Sequence, residues 1–195
     1  MNRLRQQVDE QILDQAAALF ARRGFEHTSV QSVADATGYS KAGLLHHFPS
    51  KEALREAVLA QAAGLARGVL EAVRELPVGP ARDLRALEVV VDVALAHPGL
   101  VSLLLSPATQ DDAPADADPA GRWVFQAFGV DPASTDVERL VRVTGALGAL
   151  AVLCIGAAQD DAGPARRPHI LATGYDALGH HRSGVTPTRS DQVEA

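Results

Sequence analysis

Between Thr28 and Lys51 the chain reads TSVQSVADATGYSKAGLLHHFPSK, and no other stretch restricts its fold so tightly. Thr28 or Ser29 supplies a helix cap, and Val30, Val33 and Ala34 fall on one apolar face. Gly38 ends that helix, because glycine takes the left-handed conformation without a Cβ penalty. Ser40 then caps a second short helix, Lys41 to about His47, from which Leu44 and Phe48 can turn inward against Phe20 and Val33. Pro49 and Ser50 break the chain and start a further helix with Glu52 in its first turn. Two short helices crossed over a glycine-containing turn make a helix-turn-helix unit, whose second helix fits the major groove of duplex DNA. The segment predicts a partner class; the remainder holds nothing so specific.

The elements around it are helical. The first helix shows Val8, Ile12, Leu13, Ala16, Leu19 and Phe20 on one face, with Asp9, Glu10 and Asp14 near its N-terminus and Gly24 after its end. The helix opened by Ser50 is expected to reach about Glu75, linking the DNA-reading module to the rest. Further helices are predicted over about Arg82–Ala96, Leu100–Leu105, Gly121–Phe128, Val137 to about Ala158, and Ala165–Leu178 with Pro168 in its first turn. The run GALGALAVLCIGAA is apolar and small-residued throughout, which suits burial on several sides and close helix approach. It is the predicted subunit interface. The stretch 110–119, QDDAPADADP, is expected to be a mobile loop, and the tail 181–195 to be disordered. Ala, Val and Leu dominate the 47% hydrophobic content and aromatics are only 4%, so no strand pattern competes. The expected fold is all-α: a helix-turn-helix module over 1–50 and a helical domain for effector binding and dimerisation over 51–180.

The net charge of −6 is unevenly spread. Residues 1–55 hold seven Lys/Arg against six Asp/Glu, leaving +1; residues 56–195 hold eleven against eighteen, leaving −7. An approaching polyanion is thus repelled less by the N-terminal part. No charge-free apolar stretch is long enough to predict a membrane span, and the polar N-terminus does not resemble a signal peptide, so a cytoplasmic protein with no membrane partner is expected. Cys154 is the sole cysteine and lies in the apolar AVLCIGA, which predicts a small buried side chain more than a redox centre. No phosphate loop, nucleophile elbow or metal-ligand spacing suggests an enzyme, a cofactor or a metal.

The segments ALFARRGFEHTSV, VADATGYSKAGLLHHF and PSKEAL, in that order and spacing, resemble the TetR family of bacterial one-component regulators. The resemblance covers residues 8–60 with specific motifs and the rest only by its order of helices. It implies a homodimer joined through the last two long helices (here residues 137–178), a small-molecule pocket in the C-terminal core, and release of DNA when the pocket fills. A repressor is expected to hold a near-palindromic operator in this way.

The residues expected to touch DNA are Thr28, Ser29, Ser40, Lys41, Ala42, Gly43, Leu45, His46, His47 and Lys51. Thr28 and Ser29 stand at a helix start where hydroxyls and free N–H groups can hold a phosphate, although capping is their other use. Lys41 can pair with guanine or a phosphate, and small Ala42 and Gly43 allow close approach to the groove wall. Where many relatives carry tyrosine, this chain has Leu45 and His46, so phosphate anchoring is expected to move to His46, His47 and Lys51. A charged His47 predicts tighter binding at mildly acid pH.

His97, Arg122, Trp123 and Gln126 are candidates to line a pocket for a hydrophobic or amphipathic effector; core packing for Trp123 and a helix cap for His97 are equal alternatives. Arg139 and Arg142 could meet a carboxylate but read first as helix surface charges, and His180-His181 reads as a solvated tail. A helical enzyme, or a helical interaction protein reusing the module, stands as the alternative.

Overall fold

The computed structural model describes residues 3–106, 119–131, 135–160 and 162–180. Among these residues there are nine helices and no strand: α1 Arg3–Arg23, α2 Val30–Thr37, α3 Lys41–His47, α4 Lys51–Ala72, α5 Pro80–Ala96, α6 Pro98–Leu105, α7 Pro119–Ala127, α8 Val137–Gln159 and α9 Gly163–Ala177. The acidic stretch 110–118 and the tail 181–195 lie outside the described residues; Pro119 opens α7.

Two hydrophobic cores organise the chain. The first joins Ile12, Ala16, Leu19 and Phe20 of α1 to Val33, Leu44, Leu54 and Val58, and takes in Leu100 of α6 and Ala120 of α7. The second gathers Val69, Val73, Leu87, Val91, Phe128, Val143, Leu150, Cys154 and Ile170. We call them head and body. Helix α4 serves both: its first turns bury Leu54, Val58 and Ala62 in the head, and Val69 belongs to the body.

Several ends differ from expectation for local reasons. α4 stops at Ala72, not Glu75, because the chain tightens: Val73 N–H donates to Leu70 O at 3.2 Å and Leu76 N–H to Val73 O at 3.0 Å. α9 begins at Gly163 with Pro164 in its first turn, so Pro168 lies inside the helix. The end of α7 is held from α5: Arg82 donates to Ala127 O at 2.7 Å, Gln126 O at 3.0 Å and Leu76 O at 2.9 Å.

Sequence reading of the charges needs correction. α1 starts at Arg3 with no acid in its first turn, so Asp9 and Asp14 do not serve its dipole. Asp14 is instead buried and its Oδ1 accepts the N–H of Leu100 at 2.9 Å, tying α1 to the start of α6. Burial pushes its carboxyl above the usual range, opposed by the Leu100 and Gly99 N–H groups and by His97. Gly99 makes the approach possible, since a Cβ there would overlap the carbonyl oxygen of Asp14. His180 is not solvated: its Nε2 lies 2.7 Å from Oδ2 of Asp83, and its ring rests 4.8 Å from that of Tyr175. Asp83 is 1% exposed and also accepts from Arg139 at 2.6 Å, so Arg139 is occupied within the body. Arg142 pairs with Glu138 one turn away, as a surface helix charge should. His181 lies outside the described residues.

α8 has an apolar window with a mean hydropathy of 2.0, long enough by length and composition alone to cross a membrane, as buried core helices also are. In the fold, Val143, Ala146, Leu150, Cys154 and Ala157 of α8 are spine residues of the body core. Burial pushes the Cys154 thiol up to about 11, which suppresses the thiolate a redox role needs. Its opposite face leaves Val137, Val141 and Val152 exposed, at 71%, 63% and 66%.

Candidate nucleic-acid interface

The two helices of the turn unit are held by their own neighbours. Ser29 Oγ accepts from Ser32 N–H at 3.0 Å, while Ser32 Oγ accepts from Ser29 N–H at 3.1 Å, a reciprocal cap at the start of α2. Gly38 ends α2 at φ 73°, the left-handed region, and Tyr39 N–H returns to Ala34 O at 2.9 Å. Ser40 Oγ accepts from Gly43 N–H at 3.0 Å, starting α3. Leu44 is fully buried and plugs α3 onto the head core.

Helical geometry then fixes what faces out. Lys41, Ala42 and His46 are exposed, and Gly43 and Leu45 are half-buried beside them. Among the described residues Lys41 makes no ion pair, so its ammonium is available to an incoming anion. Ser29 is exposed at the start of α2 and Ser40 at the start of α3. These residues form a narrow ridge of one positive charge, two hydroxyls and small side chains, a shape that can enter a groove with little side-chain bulk in the way.

Thr28 takes a different role from the one expected. It is 2% exposed, and its hydroxyl donates to Gly24 O at 2.8 Å, satisfying a carbonyl at the end of α1. The hydroxyl is committed to the head's interior, so it is not a phosphate donor. Lys51 is also anchored: its Nζ donates to Phe25 O at 3.1 Å and sits 4.2 Å from the Phe25 ring centroid. Arg55, one turn on, lies over the same ring at 5.2 Å. Phe25 therefore fixes two cations at the start of α4. The spacing of Lys51 and Arg55, four residues apart on one helix face, could have exposed this platform in the sequence.

His47 is the other residue the sequence underspecified. Its Nδ1 lies 2.7 Å from Oδ1 of Asp9 on α1, and Tyr39 meets the ring edge-on at 5.8 Å. No local pattern could reveal a partner 38 residues away.

The four candidate effector residues are not brought to one site. His97 terminates α5 and precedes α6, and borders a cleft of about 620 Å³ between α1, the Thr37–Tyr39 turn and the α5–α6 bend. Trp123 on α7 packs half-buried against the head core, with the Arg67 guanidinium 4.7 Å over its ring. Arg122 and Gln126 are exposed on the same helix. A second cavity of about 260 Å³ lies beside Asp14, Gly99 and Gln159. Neither cavity draws a residue from α7.

Residues 12–58 match the family described as bacterial regulatory proteins, tetR family. The HTH-type transcriptional repressor KstR2 of Rhodococcus jostii (strain RHA1) is 47% identical over 49 residues, 25% of this chain and 24% of that protein. KstR2 of Mycolicibacterium smegmatis (strain ATCC 700084 / mc(2)155) is 32% identical over 88 residues, covering 45% and 43%. The HTH-type transcriptional regulator RutR of Escherichia coli (strain K12) is 44% identical over 64 residues, covering 33% and 30%. The chain thus spans less than half the length of these curated relatives.

Proposed function

We propose, from the match of residues 12–58 to the tetR family of bacterial regulatory proteins, that this chain is a ligand-responsive transcriptional repressor of that kind. It binds a near-palindromic operator as a homodimer, each protomer inserting α3 into the major groove of one half-site. The observation that carries this is the outward ridge of α3, where Lys41 and Ala42 stand exposed above a fully buried Leu44. Lys41 and the backbone beside Ala42 and Gly43 face the bases. Ser29, Ser40, Leu45, His46, His47 and Lys51 meet the sugar-phosphate flanks, Leu45 by contact alone.

Dimerisation runs through residues 137–178. The exposed Val137, Val141 and Val152 of α8 favour it, since an apolar face on a surface helix offers another chain somewhere to pack. Two reading helices on a two-fold axis then address half-sites about 34 Å apart. The effector is small and hydrophobic or amphipathic, and acts by binding one spacing of the two heads better than the other. Movement of the body reaches the head by two routes, along α4 and through the Asp14–α6 contact. The protein works as a regulator, not an enzyme.

Selection of genomic fragments on the immobilised chain, followed by gel shift, tests the proposal. A short near-palindrome should be recovered and bound at about 10⁻⁸ to 10⁻¹¹ M, with affinity falling steeply as salt rises. Lys41→Ala should cost about 1–3 kcal/mol of that binding and relax base preference under the side chain. Turnover of a small substrate without any gel shift would instead favour an enzyme on this scaffold.

A further inference from the structure

We propose that Asp9 is a positioning residue for the DNA contact, acting through His47. The proposal rests on the DNA-binding reading given above and adds to it a residue outside the turn unit. The evidence is geometric. Asp9 sits on α1, His47 closes α3, and Asp9 Oδ1 and His47 Nδ1 are 2.7 Å apart across 38 residues of chain. A carboxylate can only accept, so Nδ1 must carry the proton in this contact. That assignment leaves Nε2 as the ring's second face, and among the described residues no hydrogen bond engages it. His47 is only 17% exposed, so its orientation is set by what it touches more than by solvent.

The consequence follows from the chemistry of the ring. With Nδ1 protonated, a neutral imidazole presents a lone pair at Nε2, which repels a phosphate oxygen. Only the doubly protonated ring donates from Nε2, and it is then flanked by two anions, Asp9 on one side and the phosphate on the other. The remaining rings facing it are Tyr39, edge-on at 5.8 Å, His46 at 6.2 Å and Phe48 at 6.3 Å. None of these three is a carboxylate, so Asp9 is the one anion among the groups facing the ring. Asp9 therefore does two things: it locks the ring's rotation, and it makes proton uptake at Nε2 part of binding. The arrangement parallels the carboxylate that orients a metal-bound histidine, with a phosphate in the place of the metal.

The test uses the full chain and the duplex it retains best from a randomised 30-base-pair pool, with the dissociation constant followed between pH 5.5 and 8. Wild type should bind more tightly as pH falls, with proton uptake linked to binding. Asp9→Asn keeps the size of the side chain and should weaken binding about three- to tenfold at pH 6 while flattening the profile. His47→Gln should do the same, and the double variant should lose no more than either alone. Asp9→Glu, which retains the carboxylate, should recover part of the pH dependence. A purely structural role would lower thermal stability without touching the profile. Asp9→Asn with wild-type affinity and profile overturns the role of Asp9 and leaves the DNA-binding reading intact. A wild-type chain that retains no duplex from the pool overturns both.

Discussion

Head and body are held together by different kinds of contact. In the head, the starts of α2, α3 and α4 are each fixed within three residues, Ser29 by Ser32, Ser40 by Gly43 and Ser50 by Ala53, and the Asp9–His47 and Asp14–Leu100 contacts add two long-range ties. In the body, beside local pairs such as Arg142–Glu138, several polar contacts cross long stretches of chain: Arg82 to the end of α7 over 45 residues, Arg139 to Asp83 over 56, Arg167 to Asp92 over 75, and His180 to Asp83 over 97. A module built from local contacts has its shape before it meets DNA, and little ordering entropy remains to be lost on binding. A domain tied by distant pairs can change several of them together when a ligand enters. The contrast sets a turn unit capped by near neighbours against a body that has more of its ion pairs between distant segments.

Four substitutions sharpen or break that contrast. Phe128→Ala, at the fully buried centre of the body, should cost about 3–5 kcal/mol in urea unfolding. Because α4 threads both cores, hydrogen exchange should show the head losing protection with the body; a head that stays fully protected would make the two independent. Arg139→Ala removes one of two partners of the buried Asp83 carboxylate and should cost about 3 kcal/mol. Its damage should fall on the body, sparing affinity per head. Ser29→Ala loses a reciprocal cap and should cost about 1 kcal/mol, most visible as faster amide exchange over α2. A loss above that seen for Arg139→Ala would contradict the view that the head depends on many small local contacts. Smallest in effect is Asp14→Asn, at the joint. The carboxyl of Asp14 titrates above its ordinary 3.8, so the folded chain retains a proton that the unfolded chain has released. Stability from this group therefore falls as pH rises from 3.8 through the folded value. The asparagine variant should lack that slope while keeping an acceptor for Leu100 N–H; an unaltered acid limb would show that Asp14 does not titrate as its burial implies.

The same distinction explains what could be read without coordinates. Ser29, Gly38, Ser40 and Ser50 announce themselves because capping and left-handed turns depend on residues a few positions apart. The order of all the helices followed from apolar spacing and from Pro and Gly. What stayed hidden were partners distant in sequence: Asp9 for His47, Asp14 for the start of α6, Asp83 for His180. Thr28 was misassigned for a related reason. A threonine beside a serine at a helix start offers two equivalent caps, and only the fold shows which hydroxyl turns inward. His97 borders the cleft beside α1, and the three effector candidates of α7 do not line it, a separation no helical periodicity encodes.

Insertion of α3 into the groove by each of two protomers is best tested by hydroxyl-radical footprinting of the genomic duplex the chain retains. A homodimer reading through α3 should protect two patches whose centres lie about one helical turn apart or slightly more, symmetric about a near-palindrome. Lys41→Ala should weaken both patches equally. A single asymmetric patch, or protection that ignores Lys41, would contradict it.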